Sequence, residues 1–319
     1  MSVLLGRPLG LALGFAADRL LGDPRRLHPV AGFGAAAGAL ERLRYADSRR
    51  RGATYTAVLV GGAVLAGTAL ERAAPGPVAR TAVTAAATWT VLGGRTLERE
   101  ALAVLGHLDA GDLEAARRRL TRLVGRDTRS LDAAGISRAV VESVAENTSD
   151  AVVAPLVWGC LAGVPGLLGY RAANTLDAMV GHRSPRYERF GWASARLDDL
   201  ANLPGSRLAG ALVVALGRRP GDAWRTWRRD AAAHPSPNAG VVESTFAGAL
   251  GIRLGGTNAY DGRVEHRAVM GDGRAPEPQD VRRGVRLARR VGVGAAIVGT
   301  AVAAGSADTG GRILSPRPG

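Results

Sequence analysis

Acidic and amide side chains gather at three places along this 319-residue chain, each beside apolar sequence. The first is Glu146-Asn147-Thr148-Ser149-Asp150, preceded by Glu142. The second runs from Asn174 to Asn202 and holds Asp177, Asp198 and Asp199. The third begins at Ser236-Pro237-Asn238 and continues through Glu243 to Gly256, with Arg253 inside it. Such groups are costly to place against apolar sequence unless they bind something, so they point to a site. On a helix, Glu142, Glu146 and Asp150 recur every four residues and share one face, about 6 Å apart. Like charges so placed repel, and a cation relieves the repulsion. Magnesium takes one or two carboxylates together with phosphate oxygens and water. The competing reading is that Ser149 or Asp150 caps a helix starting at Ala151, which leaves Glu146 and Asn147 unexplained.

In the second cluster Asn174 and Asp177 lie three apart and Asp198 and Asn202 four apart, so each pair converges on one helix face. Asp198 and Asp199 point to different faces. Ion pairs with Arg183, Arg186, Arg189 and Arg196 are the alternative use of these acids. The glycine-rich stretch Gly248 to Gly256 has backbone amides that a turn could present to phosphate, although Pro-Asn-Gly sequences are usually plain turns.

Composition removes several chemistries. All 42 basic residues are arginine. Without lysine there is no Schiff-base nucleophile and no phosphate-loop lysine. The single cysteine, Cys160, rules out an internal disulfide and any multi-cysteine zinc site. The net charge of +14 suits an anionic substrate or arginine-rich cytoplasmic loops, while 4% aromatic residues and the lack of a recognition motif argue against nucleic acid.

The elements that must carry the clusters are helices in a membrane. The expected fold is all-α and polytopic, one integral-membrane domain over residues 1–319, with large cytoplasmic helical loops. Three uncharged stretches approach the length needed to cross a bilayer: Thr54 to Leu70, Ala151 to Tyr170 and Val291 to Ala307. Weaker candidates cover about residues 4–21, 73–94 and 203–217, the last too short to span alone. Pro155 and Gly163-Val164-Pro165-Gly166 predict a broken or re-entrant segment within 151–170. Seven arginines between Gly22 and Ala53 place that loop in the cytoplasm. Leu113 to Leu123 predicts a basic surface helix starting near Asp112, and Arg218 to Arg290 reads as polar and turn-rich. All three clusters are expected on the cytoplasmic face of a multi-pass protein of the cell membrane.

The chain resembles the CobD/CbiB family of adenosylcobinamide-phosphate synthases. The resemblance rests on Asp18-Arg19-Leu20-Leu21-Gly22-Asp23-Pro24 with His28-Pro29-Val30; Glu142 to Asp150; Asn174-Thr175-Leu176-Asp177-Ala178-Met179-Val180-Gly181; Phe190-Gly191-Trp192-Ala193 with Ala195 to Asn202; and Ser236 to Gly240 with Gly248 to Gly256. Each is weak alone, and together, in family order from about residue 3 to 305, they are specific. Ala151 departs mildly from the glycine found in many relatives, adding a methyl group without removing chemistry.

The resemblance implies a ligase of cobalamin biosynthesis that joins adenosylcobyric acid to (R)-1-amino-2-propanol phosphate, or to aminopropanol, with ATP and Mg2+. It also implies corrinoid and aminopropanol phosphate substrates, a lipid environment and other cobalamin-biosynthesis enzymes as partners. Within it, Glu146 and Asp150 are expected to hold magnesium and act in catalysis with Asp177 and Asp198. Asp23, His28, Asn147, Asn174, Arg196, Asp199, Asn202, Ser236, Asn238, Glu243 and Arg253 are expected to bind substrate. A noncatalytic corrinoid-binding scaffold or transporter is the alternative, and it predicts binding without ATP consumption or amide product.

Overall fold

Runs of small and branched apolar residues with few charges form helices here, and arginines flank them. The computed structural model describes residues 5–24, 28–182, 184–260 and 263–313. In chain order the helices are α1 (Arg7–Leu21), α2 (Pro29–Arg44), α3 (Arg49–Ala73), α4 (Gly76–Val91), α5 (Gly94–Asp109), α6 (Leu113–Leu120) and α7 (Ala133–Thr148). They continue with α8 (Ala154–Leu176), α9 (Trp192–Ala201), α10 (Leu203–Leu216), α11 (Pro220–Asp230) and α12 (Ala239–Leu250), and end with α13 (Pro278–Ile313). Strands β1 (Leu254–Tyr260) and β2 (Arg263–Met270) pair antiparallel, with Leu254 opposite Met270 and Gly256 opposite Arg267. The fold is therefore all-α with one short hairpin, which the sequence reading lacked.

Three helical runs are long and apolar enough to cross a membrane: Arg49–Ala73, Ala133–Gly181 and Pro278–Ser306. They contain the first two uncharged stretches singled out above and all of the third except Ala307. Helices α1, α4 and α10 have 15, 16 and 14 residues.

The contacts divide the chain into two units. One comprises residues 1–93, 154–201 and 295–319, and the other 94–153 and 202–294. In the first unit α1 packs on α4 through small residues. A methyl group at Gly10 would lie 2.5 Å from Thr84 Cβ, and one at Gly14 would lie 2.4 Å from Thr88 Cβ. Glycines four apart let helix backbones approach this closely. Leu11, Val91, Val164 and Leu167 form the adjoining core. A second cluster sets Phe190 between Tyr45 and Tyr55, with ring centroids 5.3 and 5.0 Å away.

The break expected in 151–170 falls at Gly163, whose φ of 65° and ψ of −147° interrupt α8 two residues before Pro165. Pro155 causes no break and lies two residues past the π-helical turn Ser149–Val153. The interruption frees carbonyls that a helix would otherwise satisfy. Arg7 approaches two of them, with Nη1 3.4 Å from Cys160 O and 3.5 Å from Leu161 O, and Glu71 pairs with Arg7 at 3.6 Å. Gly163 leaves room for that pair, since a Cβ there would lie 2.5 Å from Glu71 Oε1.

In the second unit α5 and α6 lie against α7, and α10 and α11 lie against α12. The basic helix near Asp112 forms as the sequence indicates, with Asp112 Oδ1 accepting from Ala115 N at 2.8 Å. The turn-rich reading of Arg218 to Arg290 is corrected. Helix α12 is buried at every position, and α11 and the hairpin adjoin it. Val241, Val242, Phe246 and Ala247 supply an apolar core there that outweighs the neighbouring prolines and glycines.

Candidate functional site

Helix α7 meets α12 and the hairpin in the second unit, and this meeting organises the first and third clusters. Glu142 is 3% exposed and divides its two oxygens. Oε1 accepts from Gly255 N at 2.8 Å, and Oε2 lies 2.6 Å from Arg126 Nη2. Arg138, one turn before Glu142, donates to Gly255 O at 2.5 Å and to Thr257 O at 3.0 Å. The hairpin is thus fastened to α7 by one carboxylate and one guanidinium.

Glu243 enters the same neighbourhood from α12. It is 2% exposed, and its Oε2 has no hydrogen-bond donor among the described residues. Its Oε1 lies 3.8 Å from His234 Nε2. Burial pushes the Glu243 carboxyl well above the usual carboxylate range, and the charges of Glu142 and Glu146 push it further, against an opposing pull from Arg267 and Arg126. Glu146 is reached by solvent, yet Arg267, Arg126 and Glu142 act on it from three segments. The charges of Glu142 and Glu146 act in turn on Glu243.

Asp150 takes a different partner. The chain continues past Thr148 in a π-helical turn over Ser149–Val153, so neither Ser149 nor Asp150 caps a new helix, which corrects the capping alternative. The wider turn aims both side chains at Asn202. Ser149 Oγ donates to Asn202 Oδ1 at 3.0 Å, and Asn202 Nδ2 donates to Asp150 Oδ1. Asn202 is 1% exposed. Asn147 Nδ2 donates to Ser143 O at 2.9 Å, one turn back.

Asn238 is 4% exposed, and its Oδ1 accepts from Ser206 Oγ and Arg207 Nη1, each at 2.8 Å. Ser236 has a structural task. Its Oγ accepts from the amides of Asn238 and Ala239 at the start of α12. Arg253 is exposed and lines a cavity of about 420 Å³ together with Arg138, Asp132 and Gly256.

The first unit holds the remaining sequence-predicted residues. Asn174 Nδ2 donates to Asp198 Oδ1 at 3.3 Å, and Arg171 Nη1 lies 3.4 Å from Asn174 Oδ1. Asp198 is 8% exposed. Asp199 turns to another face, pairing with the exposed Arg196 at 3.7 Å, and burial raises its carboxyl against the pull of that arginine. Asp177 opens a second π-helical turn, Asp177–Gly181. A Cβ at Gly181 would lie 1.9 Å from Asp177 Oδ1, so glycine there makes space for the carboxylate. His28 caps α2, its Nδ1 accepting from Val30 N at 3.2 Å, and its Nε2 lies 3.9 Å from Asp23 Oδ2. Arg183, a suggested ion-pair partner, lies outside the described residues.

Sequence reasoning overlooked Arg126 and Arg267, which lie far in sequence from Glu243, and Arg138, whose four-residue spacing from Glu142 was the available signal. It noticed Glu142 only as part of a helical face. The signal for Glu142 was its four-residue spacing from Glu146, whereas nothing local could have placed Gly255 beside it.

Among the described residues no group of three or more His, Cys, Asp or Glu converges to hold a metal ion. Magnesium does not need such a cage, because one or two carboxylates suffice when phosphate and water complete its shell. The solvent-reached Glu146 and the partly exposed Asp150 fit that donor chemistry. The glycine-rich stretch does not fit a phosphate cradle. The Gly255 amide is occupied by Glu142, and Gly248 is buried within α12, where a Cβ would meet Asp222 O at 2.6 Å.

Fold and clusters together define a helical protein with membrane-length helices and buried carboxylates arranged around arginines. The CobD/Cbib protein family model matches residues 11–288. A cobalamin biosynthesis protein CobD of Mycobacterium bovis is 52% identical over 301 residues, covering 93% of this chain and 96% of the relative. Proteins of the same name from Chromobacterium violaceum and Rhodobacter capsulatus are 43% and 40% identical, over 88% and 90% of this chain and 92% and 95% of theirs. No solved structure matches the chain. The chain belongs to the CobD/CbiB family.

Proposed function

We propose that the protein acts in cobalamin biosynthesis as a carbon–nitrogen ligase, joining the propionate carboxyl of adenosylcobyric acid to the amine of (R)-1-amino-2-propanol phosphate to give adenosylcobinamide phosphate. The family match over most of the chain and its relatives' names support the pathway. The observation that carries the reaction class is Glu243, a buried carboxylate with an unpartnered oxygen, on which the charges of Glu146, Arg126 and Arg267 act.

Amide formation from a carboxylate needs a better leaving group than an oxide. Phosphorylation by ATP makes the acyl phosphate and releases ADP, after which the amine attacks, phosphate leaves, and one amine proton passes to a base. A carboxylate whose proton affinity is raised by burial is suited to take that proton, and Glu243 has this property. Glu146 and Asp150 would hold magnesium, which when bound neutralises phosphate charge. Arg253, and separately Arg196, would each neutralise a phosphate through forked hydrogen bonds. Asp177 and Asp198 would assist as ligand or base, with Asn147, Asn174, Asn202 and Asn238 orienting polar groups. Asp23, His28, Asp199 and Ser236 complete the substrate-binding set.

The test is a single assay of detergent-solubilised protein with both substrates, ATP and magnesium, read by mass detection of cobinamide phosphate. Wild type is expected to form product, and Glu146→Gln and Glu243→Gln to form it at least about a hundredfold more slowly, the scale of lost acid–base catalysis. Corrinoid binding with no ATP use and no amide product would establish the scaffold or transporter instead. Single cysteines at Ser130, Ser184 and Ser236 in a Cys160→Ser background, labelled in sealed vesicles, test whether the clusters face the cytoplasm; Ser130 stands in for Ser143, which is buried.

A further inference from the structure

A recess of about 190 Å³ opens in the second unit where the ends of α10 and α12 meet the arginine-rich start of α13. Arg218, Arg283, Arg286 and Arg290 line it beside Ala249 and Leu287, and no acidic residue does. Arg283 is committed to the framework, donating to Asp280 Oδ1 at 2.7 Å and Leu250 O at 2.8 Å. Arg286 reaches only a backbone carbonyl, Arg282 O. Arg218, Arg286 and Arg290 have no carboxylate partner among the described residues. Three guanidiniums around one small cavity repel each other. A phosphate group between them converts that repulsion into forked, charge-assisted hydrogen bonds.

The surroundings select the kind of phosphate. Immediately past Arg290, α13 becomes apolar, and Val293 stands 42% exposed, with Leu216 of α10 37% exposed. This helix is among those long and apolar enough to cross a membrane. Helix α10 runs beside it, with Leu212 and Leu216 closing on Gly294, where a Cβ would lie 3.1 Å from each. The recess therefore sits at the polar end of an uncovered apolar surface, with room alongside for hydrocarbon chains. Arginines in such a position attract anionic lipid.

We propose that this recess binds the phosphodiester headgroup of an anionic membrane phospholipid, whose acyl chains start along the exposed apolar residues Val293 and Leu216. The test reconstitutes the full-length chain in nanodiscs of mixed phosphatidylglycerol and phosphatidylcholine and counts retained lipids by native mass spectrometry. Wild type should retain phosphatidylglycerol over phosphatidylcholine. Arg286→Gln with Arg290→Gln should cut that preference about tenfold or more. Both residues are exposed, so folding should persist, and an unchanged thermal midpoint checks this. Arg225→Gln with Arg228→Gln removes equal charge away from the recess and should leave the preference intact. Equal retention of the two lipids, equal losses in the two double variants, or displacement of the lipid by millimolar inorganic phosphate would each overturn the proposal, the last by marking a small-anion site.

Discussion

Glu142 and Gly255 lie 113 positions apart in sequence and are joined by a 2.8 Å hydrogen bond from amide to carboxylate. The other oxygen of Glu142 faces Arg126, so one side chain ties α7 both to the hairpin and to the loop before it.

Glu142→Gln should therefore cost more than a surface change. Side chains of Arg126 and Glu142 are 6% and 4% exposed, and the substitution leaves a buried guanidinium without its anion. Loss of about 3 to 5 kcal/mol is expected, measured by SDS unfolding followed through tryptophan fluorescence. Replacing both residues by methionine should cost less than the single change. Equal stability of Glu142→Gln and wild type would show that the pair holds nothing.

Gly163→Ala should destabilise the first unit. The backbone conformation at residue 163 is open to glycine and hostile to other residues, and the new methyl meets Glu71. About 1 to 3 kcal/mol is expected from the backbone alone. Gly61→Ala, with open space around it in α3, serves as the comparison and should cost little. If both changes behave alike, the break is not strained.

Stability should depend on pH through Glu243. Its folded carboxyl holds a proton more tightly than the unfolded one, so above the ordinary glutamate value of about 4.3 the folded state binds more protons and stability falls as pH rises. The fall ends once pH passes the raised folded value. Glu243→Gln has no such proton to lose, and its unfolding midpoint should flatten relative to wild type over that window. Parallel curves would dismiss the raised proton affinity.

Asn202→Asp should place a second carboxylate against Asp150. The original amide donates to Asp150 and accepts from Ser149, and only the acceptor role survives the change. A loss of about 1 to 3 kcal/mol at neutral pH is expected, shrinking as acid supplies a shared proton. A deficit independent of pH would mean that packing, rather than charge, dominates at Asn202.

Much of this was legible in the residues themselves. The uncharged runs at Thr54 to Leu70 and Val291 to Ala307 announced long helices, and Gly163 announced a break, because length, hydropathy and backbone freedom are local properties. The pairing of Asn174 with Asp198 was not legible, since a spacing of 24 residues fixes no contact. Asn202 was grouped with Asp198 through a four-residue spacing, yet it bonds Ser149 and Asp150 from a distant segment. The hairpin was hidden by glycines at 255 and 256, where positive φ values of 81° and 91° mimic a loop signature inside strand β1. The bonds from Ser236 Oγ to the start of α12 were not legible either, because hydroxyls beside proline suit helix starts and ligands alike.

The plug for the broken α8 comes from Arg7, 153 positions earlier than the carbonyl it meets at Cys160. A ribosome delivers α1 well before α8, so the guanidinium is already waiting when the interrupted segment emerges. Order of synthesis therefore puts the donor in the chain before the peptide oxygens it meets.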